Sequence, residues 1–323
     1  MGVEFRNEGV RSNVLGKPMK EPQDVPFEKE GQYLKSDNRS NISYFLEHNV
    51  LLRRFTLSVG VLANYNSALN EGIHFYPGID ASYRIGDNVR LYGSWNRALR
   101  MPTFTDLYYE GKTNKGNPDL KPEESEAFEV GLKYNTYFLR AHIAGFYRKG
   151  KNMIDWVKEK PEDIWESQNL TKVDNLGFET NLSLLPRELG NERFFIRKIE
   201  LGYAFIHQDK DSEGYISNYA LDYLKHKFTA QLSHSIWKGF SATWYVRWQD
   251  RAGSYTKYEN LKPAYEEPYA PYCLVDMKVN WEYQRLNLYA ELNNLLNSTY
   301  YDLGNIPQPG IWFKAGFRYS FKY

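Results

Sequence analysis

One acidic run has a spacing that could bind a metal ion. Asp209, Asp211 and Glu213 alternate with other residues and precede a glycine, as the oxygen ligands do in half of a calcium loop. An EF-hand loop also needs a bidentate glutamate at its twelfth position, which here is Ala220. We therefore interpret the run as a solvated loop and keep its three carboxylates only as a calcium candidate. No other metal site and no cofactor is predicted.

The sequence contains no recognisable catalytic constellation. His142 has no serine or cysteine partner near it in sequence, and no two histidines have metal-ligand spacing. Neither a glycine-rich phosphate loop nor a nucleophile elbow occurs. The single cysteine, Cys273, cannot form an internal disulfide. These observations predict that the protein is not an enzyme.

Aromatic residues are a more informative group. They make up 16% of the 323 residues, with 27 tyrosines and 8 tryptophans. Rings in loops can capture a large, partly apolar ligand, because they bury area at little entropic cost. Each ring could instead anchor the chain at a membrane interface or pack within its loop. The loop rings that we consider for ligand capture are Tyr108, Tyr109, Trp165, Tyr215, Tyr219, Tyr255, Tyr258, Tyr300 and Tyr301.

Strands must hold these loops, and the C-terminal segment shows the alternation of side chains that is typical of these strands. From Ile311 to Tyr323 the odd positions are apolar or aromatic, whereas the even positions include Lys314, Arg318 and Lys322. A strand directs successive side chains to opposite faces, so one face is apolar and the other is wet and cationic. The same period of two recurs along the chain in about fourteen segments.

The connections between these segments alternate in length towards the C-terminus. Residues 250–271 and 297–309 are long connections, whereas 236–239 and 282–285 are short. Short turns at one end and longer loops at the other are typical of membrane barrels. The face opposite the apolar one is charged in nearly every segment, which a dry core could not hold unpaired. We predict an all-β, transmembrane, antiparallel up-and-down β-barrel.

Composition argues against some classes of protein but is compatible with a β-barrel. A net charge of +1 does not favour nucleic acid as a partner. The mean hydropathy is −0.65, and no run approaches the roughly 18 apolar residues of a membrane helix. A barrel strand shows lipid only every second residue, so this low value is compatible with one. Residues 1–8 lack the pattern of a signal peptide, and we expect the chain to begin inside a longer protein.

Several stretches resemble the TonB-dependent outer-membrane receptors. Residues 116–125 read Gly-Asn-Pro-Asp-Leu-Lys-Pro-Glu-Glu-Ser, a run that is highly specific for barrels of this family. Residues 96–108 resemble its usual lead-in, and 292–301 and 307–312 resemble its last loops. Independently of the resemblance, the two prolines of the 116–125 run fix φ and remove two backbone donors. They predict a stiff corner that leads into a strand. The motif residues are Asn117, Pro118, Asp119, Leu120, Lys121, Pro122 and Glu123.

The resemblance implies that residues 1–323 are the C-terminal portion of a barrel of about 22 strands, without the plug domain and the first strands. It implies the outer membrane of a Gram-negative bacterium and uptake of a scarce large ligand, such as vitamin B12 or an iron-siderophore. The implied partners are outer-membrane lipid, the plug and TonB complex, the barrel-assembly machinery and that ligand. The barrel-insertion signal that this machinery reads would comprise Phe317, Tyr319, Phe321 and Tyr323.

Three alternatives remain open. A free-standing channel of about fourteen strands would require Gly2–Asn7 to pair with Gly310–Tyr323 and close the barrel. An outer-membrane hydrolase would require a catalytic site at the rim. A soluble glycan-binding β protein would also be rich in tyrosine and tryptophan, but would not need detergent.

Overall fold

The computed structural model describes residues 1–28, 30–69, 72–160, 162–190, 194–211, 214–217, 223–259 and 262–321. Its helices are α1 (Phe104–Tyr108) and a 3₁₀ turn at Pro186–Leu189. The strands are β1 (Gly2–Ser12), β2 (Lys17–Asp24), β3 (Gln32–Leu51), β4 (Phe55–Asn66), β5 (Ile73–Arg84), β6 (Val89–Arg100), β7 (Asn114–Lys115), β8 (Glu123–Asn135), β9 (Leu139–Lys158), β10 (Trp165–Leu184), β11 (Ile196–Asp211), β12 (Ile216–Ser217), β13 (Tyr223–Trp237), β14 (Phe240–Ala252), β15 (Ser254–Glu259), β16 (Lys262–Pro268), β17 (Tyr272–Tyr283), β18 (Leu286–Asn293), β19 (Tyr301–Leu303), β20 (Ile306–Pro307) and β21 (Trp312–Tyr319).

Fourteen of these strands form one antiparallel up-and-down ladder. Its order is β1-β3-β4-β5-β6-β8-β9-β10-β11-β13-β14-β17-β18-β21. This confirms the predicted all-β antiparallel architecture of about fourteen strands. In the described part of the chain, no pairing joins β1 to β21. The closure that a free-standing channel requires is therefore not formed among those residues.

The register aligns apolar side chains of adjacent strands into rows on one face. Leu91 lies opposite Leu132, which in turn lies opposite Ile143. These side chains are 43%, 38% and 51% exposed, respectively, so no other part of the described chain covers them. Alternation with a period of two thus produces a continuous apolar face across neighbouring strands, as expected of a surface that contacts lipid.

The opposite face carries charged side chains that interact across strands. The carboxylate of Glu291 forms ion pairs with Nζ of Lys278 at 2.7 Å and with Nζ of Lys314 at 2.5 Å. A concavity of about 690 Å³ lies on this polar face, and its lining includes Arg140, His142 and Arg247. Such a surface needs water or a polar partner beside it, because unpaired charges are costly to bury.

The two ends of the ladder differ in their connections. At the short-turn end, strands are joined by residues 136–138, 238–239 and 284–285. At the long-loop end lie the first long loop (101–122), the hairpin loop (253–271) and the last loop (294–311). Within the described residues, no helix is both long and apolar enough to cross a membrane.

The polar sequence of residues 149–165 favours a loop, but the structure forms strands through most of this region. The strands β9 and β10 continue through this region, and only residues 159–164 connect them. Their ends form a small outer sheet, because β7 pairs with β10 and β12 pairs with β9. This sheet buries Asp155, Val157 and Ser167 to 2% exposure or less. Polar residues are therefore buried here by strand pairing, which sequence polarity does not reveal.

The prolines between Gly16 and Pro26 likewise argue against regular structure, but a strand forms there. Residues Lys17–Asp24 form β2, which pairs with β3. The register shifts between Pro18 and Gln23, so Pro22 lies in the irregular stretch. Proline is tolerated at sheet edges and bulges, where its missing N–H removes no ladder hydrogen bond.

Candidate functional site

The motif corner, formed by residues 117–123 and the side chains that hold them, is centred on Glu123. This carboxylate is 8% exposed and begins β8. Arg100 donates to both of its oxygens at 2.6 Å, and the backbone N–H of Ile154 donates to Oε1 at 2.8 Å. A bidentate guanidinium and a backbone donor thereby fix the end of the motif to two other strands.

Asn169 fixes the middle of the motif. Its Oδ1 accepts from the backbone N–H of Lys121 at 2.8 Å, and its Nδ2 donates to the Lys121 carbonyl at 2.9 Å. The same Nδ2 donates to the carbonyl of Asn152 at 2.7 Å. Leu120 is buried beside it, and Asn117 accepts from the backbone N–H of Asp119 at 2.9 Å. The predicted stiff corner is present, and its stiffness comes from these bonds as well as from the prolines.

Tyr108 lies at the end of α1, in the first long loop. The helix begins with a reciprocal capping box between Thr103 and Asp106. The Tyr108 hydroxyl donates to Asp37 on β3 at 2.6 Å. Burial and this hydrogen bond raise the pKa of Tyr108. The Tyr108 hydroxyl therefore forms an anchoring hydrogen bond that joins the first long loop to a strand distant in sequence.

A buried arginine strengthens the same anchor. Arg39, whose side chain is 9% exposed, donates to Glu8 on β1 at 2.6 Å and to the carbonyl of Pro102 at 2.6 Å. Its guanidinium also lies 5.0 Å from the centre of the Phe104 ring. The first long loop is therefore attached to β3 as well as to the strands that it connects, and Arg39 also joins β3 to β1.

The other predicted rings of this region lie apart from one another. Tyr109 is 38% exposed and meets Trp156 edge-on at 6.5 Å. Lys158 lies over the ring of Trp165 at 4.5 Å. Tyr215 is half-buried just before β12, and Tyr219 lies outside the described residues. Tyr109 and Trp165 thus contact residues of the small outer sheet, and within the described part of the chain no ring contact joins this group to the C-terminal rings.

A second group, the ring cluster, comprises Tyr255, Tyr269, Tyr272, Tyr300 and Tyr301. The ring of Tyr255 lies 5.1 Å from that of Tyr269 and 5.8 Å from that of Tyr301. Tyr272 and Tyr300 form a second pair at 4.7 Å. Sequence reasoning did not assign Tyr269 and Tyr272 to the site, although the density of tyrosines around them was a usable signal.

The members of the hairpin loop differ in exposure. Tyr269 is 8% exposed and is the most buried ring of the cluster, whereas Tyr255 in the same loop and Tyr301 in the last loop are half-buried. Arg251 lies over Tyr269 at 5.4 Å. Tyr258 is 56% exposed and projects from the hairpin. The hairpin and last loops can thus offer ring faces and ring edges with a cation close by.

The calcium candidate is not assembled in the described part of the chain. Asp209 is an exposed residue near the end of β11, where it forms an ion pair with Lys172 at 3.2 Å. The side chain of Asp211 and the whole of Glu213 lie outside the described residues. No group of three or more potential metal ligands occurs among the residues that are described.

The last strand presents the closing aromatics on the apolar face. Phe317, Tyr319 and Phe321 are 73%, 48% and 77% exposed, and Tyr323 lies beyond the described residues. Phe317 pairs across the ladder with Leu288, which is itself 40% exposed. The predicted alternation of this segment therefore continues the apolar face of the ladder.

Strands with one apolar and one charged face, joined by short turns at one end and long loops at the other, define the wall of a transmembrane β-barrel. Residues 1–295 match the family model described as "TonB dependent receptor-like, beta-barrel". The chain belongs to this family.

Curated relatives include transporters and receptors. The chain is 25% identical to the vitamin B12 transporter BtuB of Vibrio vulnificus over 191 residues, which cover 54% of the chain and 30% of the relative. It is 22% identical to the ferrienterobactin receptor of Escherichia coli over 297 residues, covering 83% of the chain and 38% of that receptor. The chain therefore spans about a third of the length of these relatives.

Solved structures agree on the fold. A mutant of the ferric enterobactin receptor PfeA from Pseudomonas aeruginosa aligns with a TM-score of 0.74 and 19% identity, covering 99% of this chain and 50% of that one. The siderophore receptor PirA from Acinetobacter baumannii aligns with a TM-score of 0.71 and 17% identity, covering 99% and 51%. The chain thus spans about half of the length of these receptors.

Proposed function

We propose that residues 1–323 form the C-terminal portion of the wall of a TonB-dependent receptor in the outer membrane of a Gram-negative bacterium. The observation that carries the proposal is the pair of contrasting faces on one continuous ladder. The apolar face would contact outer-membrane lipid, and the charged face would line the lumen. The long-loop end would then face outward and the short-turn end would face the periplasm.

The ligand of this receptor would be a scarce, large molecule such as vitamin B12 or an iron-siderophore. The names of BtuB and of the ferrienterobactin receptor support this range of ligands. The ring cluster supports it as well, since half-buried rings beside Arg251 suit a large, partly apolar ligand. The protein would act as a transporter and not as an enzyme, as its relatives are named transporters and receptors.

The remaining partners follow from the proposed role. The plug domain and first strands would lie outside residues 1–323, and the plug would receive energy from the TonB complex. The exposed aromatics of β21 would be read by the barrel-assembly machinery during insertion. Water and the plug would cover the charged lumen wall, so residues 1–323 need no second layer of structure to cover these side chains.

Uptake in cells tests the proposal. The full-length protein would be produced in a Gram-negative host that lacks its own vitamin B12 and enterobactin receptors, and uptake of labelled cyanocobalamin and labelled ferric enterobactin would be measured. We expect uptake of one of them, and we expect it to disappear in a matched host without TonB. Uptake that is independent of TonB would favour an open channel, and a protein absent from the outer-membrane fraction would contradict the proposal.

A further inference from the structure

The hairpin loop and the last loop each contain a small sheet that is separate from the main ladder. The hairpin loop contains the two-stranded sheet of β15 and β16, and the last loop contains that of β19 and β20. Neither sheet pairs with the main ladder in the described part of the chain. The last loop is bonded to β17, where the Leu295 N–H donates to the Val275 carbonyl at 2.8 Å and the Ser298 hydroxyl donates to the Cys273 carbonyl at 3.0 Å. The position of the hairpin sheet relative to the last loop comes from contacts between side chains and turns.

Those contacts converge on the turn at Gly304 and Asn305. A Cβ at Gly304 would collide with Cβ of Tyr255 and would lie 2.6 Å from its Cγ, so one of the two backbones would have to move. The Gly304 N–H donates to the Tyr269 hydroxyl at 3.1 Å. Asn305, with φ of 62°, donates through Nδ2 to the carbonyl of Thr256 at 2.7 Å. Only a glycine allows the last loop to approach the hairpin this closely.

The same approach assembles the ring cluster. Tyr255 and Tyr269 belong to the hairpin loop, whereas Tyr301, whose ring lies 5.8 Å from that of Tyr255, belongs to the last loop. The hairpin joins β14 through Gly253, which has φ of 100° and turns the chain out of the main ladder. A hairpin attached in this way needs a second point of support to fix its rings, and the Gly304 turn supplies it.

We infer that Gly304 and Asn305 are positioning residues that hold two outer loops as one unit, so that tyrosines from both present a single surface to the ligand. The ligand part of this inference rests on the proposed function, whereas the coupling of the two loops does not. The two residues act through Tyr255 and Tyr301 and need not touch the ligand themselves.

Hydrogen exchange of the full-length protein in detergent micelles tests the coupling. Gly304→Ala lies in the last loop, but we expect it to accelerate exchange of the β15 and β16 amides by about tenfold, as the loss of a typical hydrogen bond would. Gly86→Ala is the control, because a Cβ there meets nothing within 4 Å. Unchanged exchange in the main ladder verifies folding, and acceleration confined to the last loop would overturn the inference.

Asn305→Asp provides a second variant if Gly304→Ala does not fold. Aspartate tolerates a left-handed backbone but cannot donate to the Thr256 carbonyl. We expect faster exchange around Thr256 in the hairpin loop and little change in the ladder. Exchange at Thr256 equal to that of the parent protein would count against the coupling.

A binding measurement then tests the positioning role. Cyanocobalamin and ferric enterobactin are the probes, and we expect the affinity of the one that the parent protein binds to fall by about tenfold in Gly304→Ala. Faster hairpin exchange with unchanged affinity would overturn the positioning role. If the parent binds neither probe, that result counts against the proposed ligands, and the exchange data still decide whether the loops are coupled.

Discussion

The motif corner and the ring cluster lie at the same end of the strands but are held by different forces. The motif corner depends on directional bonds with buried partners, such as the two 2.6 Å bonds from Arg100 to Glu123. In the ring cluster, Tyr255 is held by tilted ring contacts with Tyr269 and Tyr301 and by the close backbone approach at Gly304. Hydrogen bonds in this cluster involve the hydroxyls of Tyr269 and Tyr272. Charge-assisted hydrogen bonds fix the geometry of the motif corner, whereas the ring contacts of Tyr255 are less directional.

This difference separates residues that sequence reasoning grouped together. Tyr108 and Tyr255 were both predicted to capture ligand, yet the Tyr108 hydroxyl is already bonded to Asp37 at 2.6 Å. Tyr255 contacts other rings and remains half-buried at the surface of the cluster. We propose that the motif corner fixes the frame of the outer loops and that the ring cluster meets the ligand.

The largest expected effect is at the charged centre of the motif corner. Glu123→Gln removes the charge that holds Arg100 and weakens the bond from Ile154. Because Arg100 is half exposed and can rehydrate, we expect the free energy of unfolding to fall by about 2 kcal/mol. Urea unfolding of the full-length protein in detergent micelles measures it.

Glu124→Gln is the matched control for that change. This neighbouring carboxylate is 38% exposed and lies 3.7 Å from Arg97. Exposed ion pairs contribute little, so we expect a loss of less than about 0.5 kcal/mol. Equal losses at the two glutamates would show that the motif corner is not held by Glu123 in particular.

A smaller effect is expected from the amide that holds the middle of the motif. Asn169→Ala removes one acceptor and two donated bonds, but Lys121 is exposed and its backbone can turn to water. We expect a loss of about 1 to 2 kcal/mol and faster proteolysis near Lys121. Asn169→Asp keeps the acceptor and should give an intermediate rate; a rate equal to that of the parent protein for both variants would contradict the assignment.

The strands and their faces could be predicted from sequence because alternation is a local signal. The rows formed by residues such as Leu91 and Leu132 need only a period of two and a consistent register. The prolines of the motif likewise predicted a corner. Local signals failed at Lys17–Asp24 and at 149–165, where pairing with other strands decides the structure.

The partners within the site could not be predicted in the same way. Tyr108 and Asp37 are 71 positions apart, and Lys121 and Asn169 are 48 apart. Their contacts depend on which strands are neighbours and on how far each strand extends towards the long-loop end. The ring cluster was partly visible in the sequence, because three of its members, Tyr255, Tyr300 and Tyr301, stand out as loop aromatics.

A change within the ring cluster should be milder than those at the motif corner. Tyr255→Leu keeps an apolar side chain but loses the ring contacts with Tyr269 and Tyr301. We expect a loss of about 1 kcal/mol, measured by urea unfolding of the full-length protein in micelles. Tyr258→Leu, at a residue that is 56% exposed, is the control and should change stability very little. A larger loss at Tyr258 would overturn the assignment of Tyr255 to a packed cluster.

The smallest changes test the comparison most directly, because each removes a single oxygen. Tyr108→Phe deletes the hydroxyl that donates to Asp37, and we expect it to cost about 1 kcal/mol of unfolding free energy. Tyr255→Phe leaves both ring contacts intact and should be close to neutral. Each variant lacks one tyrosine hydroxyl oxygen relative to the parent protein. A difference between their losses of unfolding free energy, measured by the same urea titration, therefore shows which hydroxyl takes part in a stabilising bond. If Tyr255→Phe cost as much as Tyr108→Phe, the Tyr255 ring would also depend on a directional bond of its hydroxyl, and the distinction between a hydrogen-bonded frame and a ligand surface of packed rings would fail.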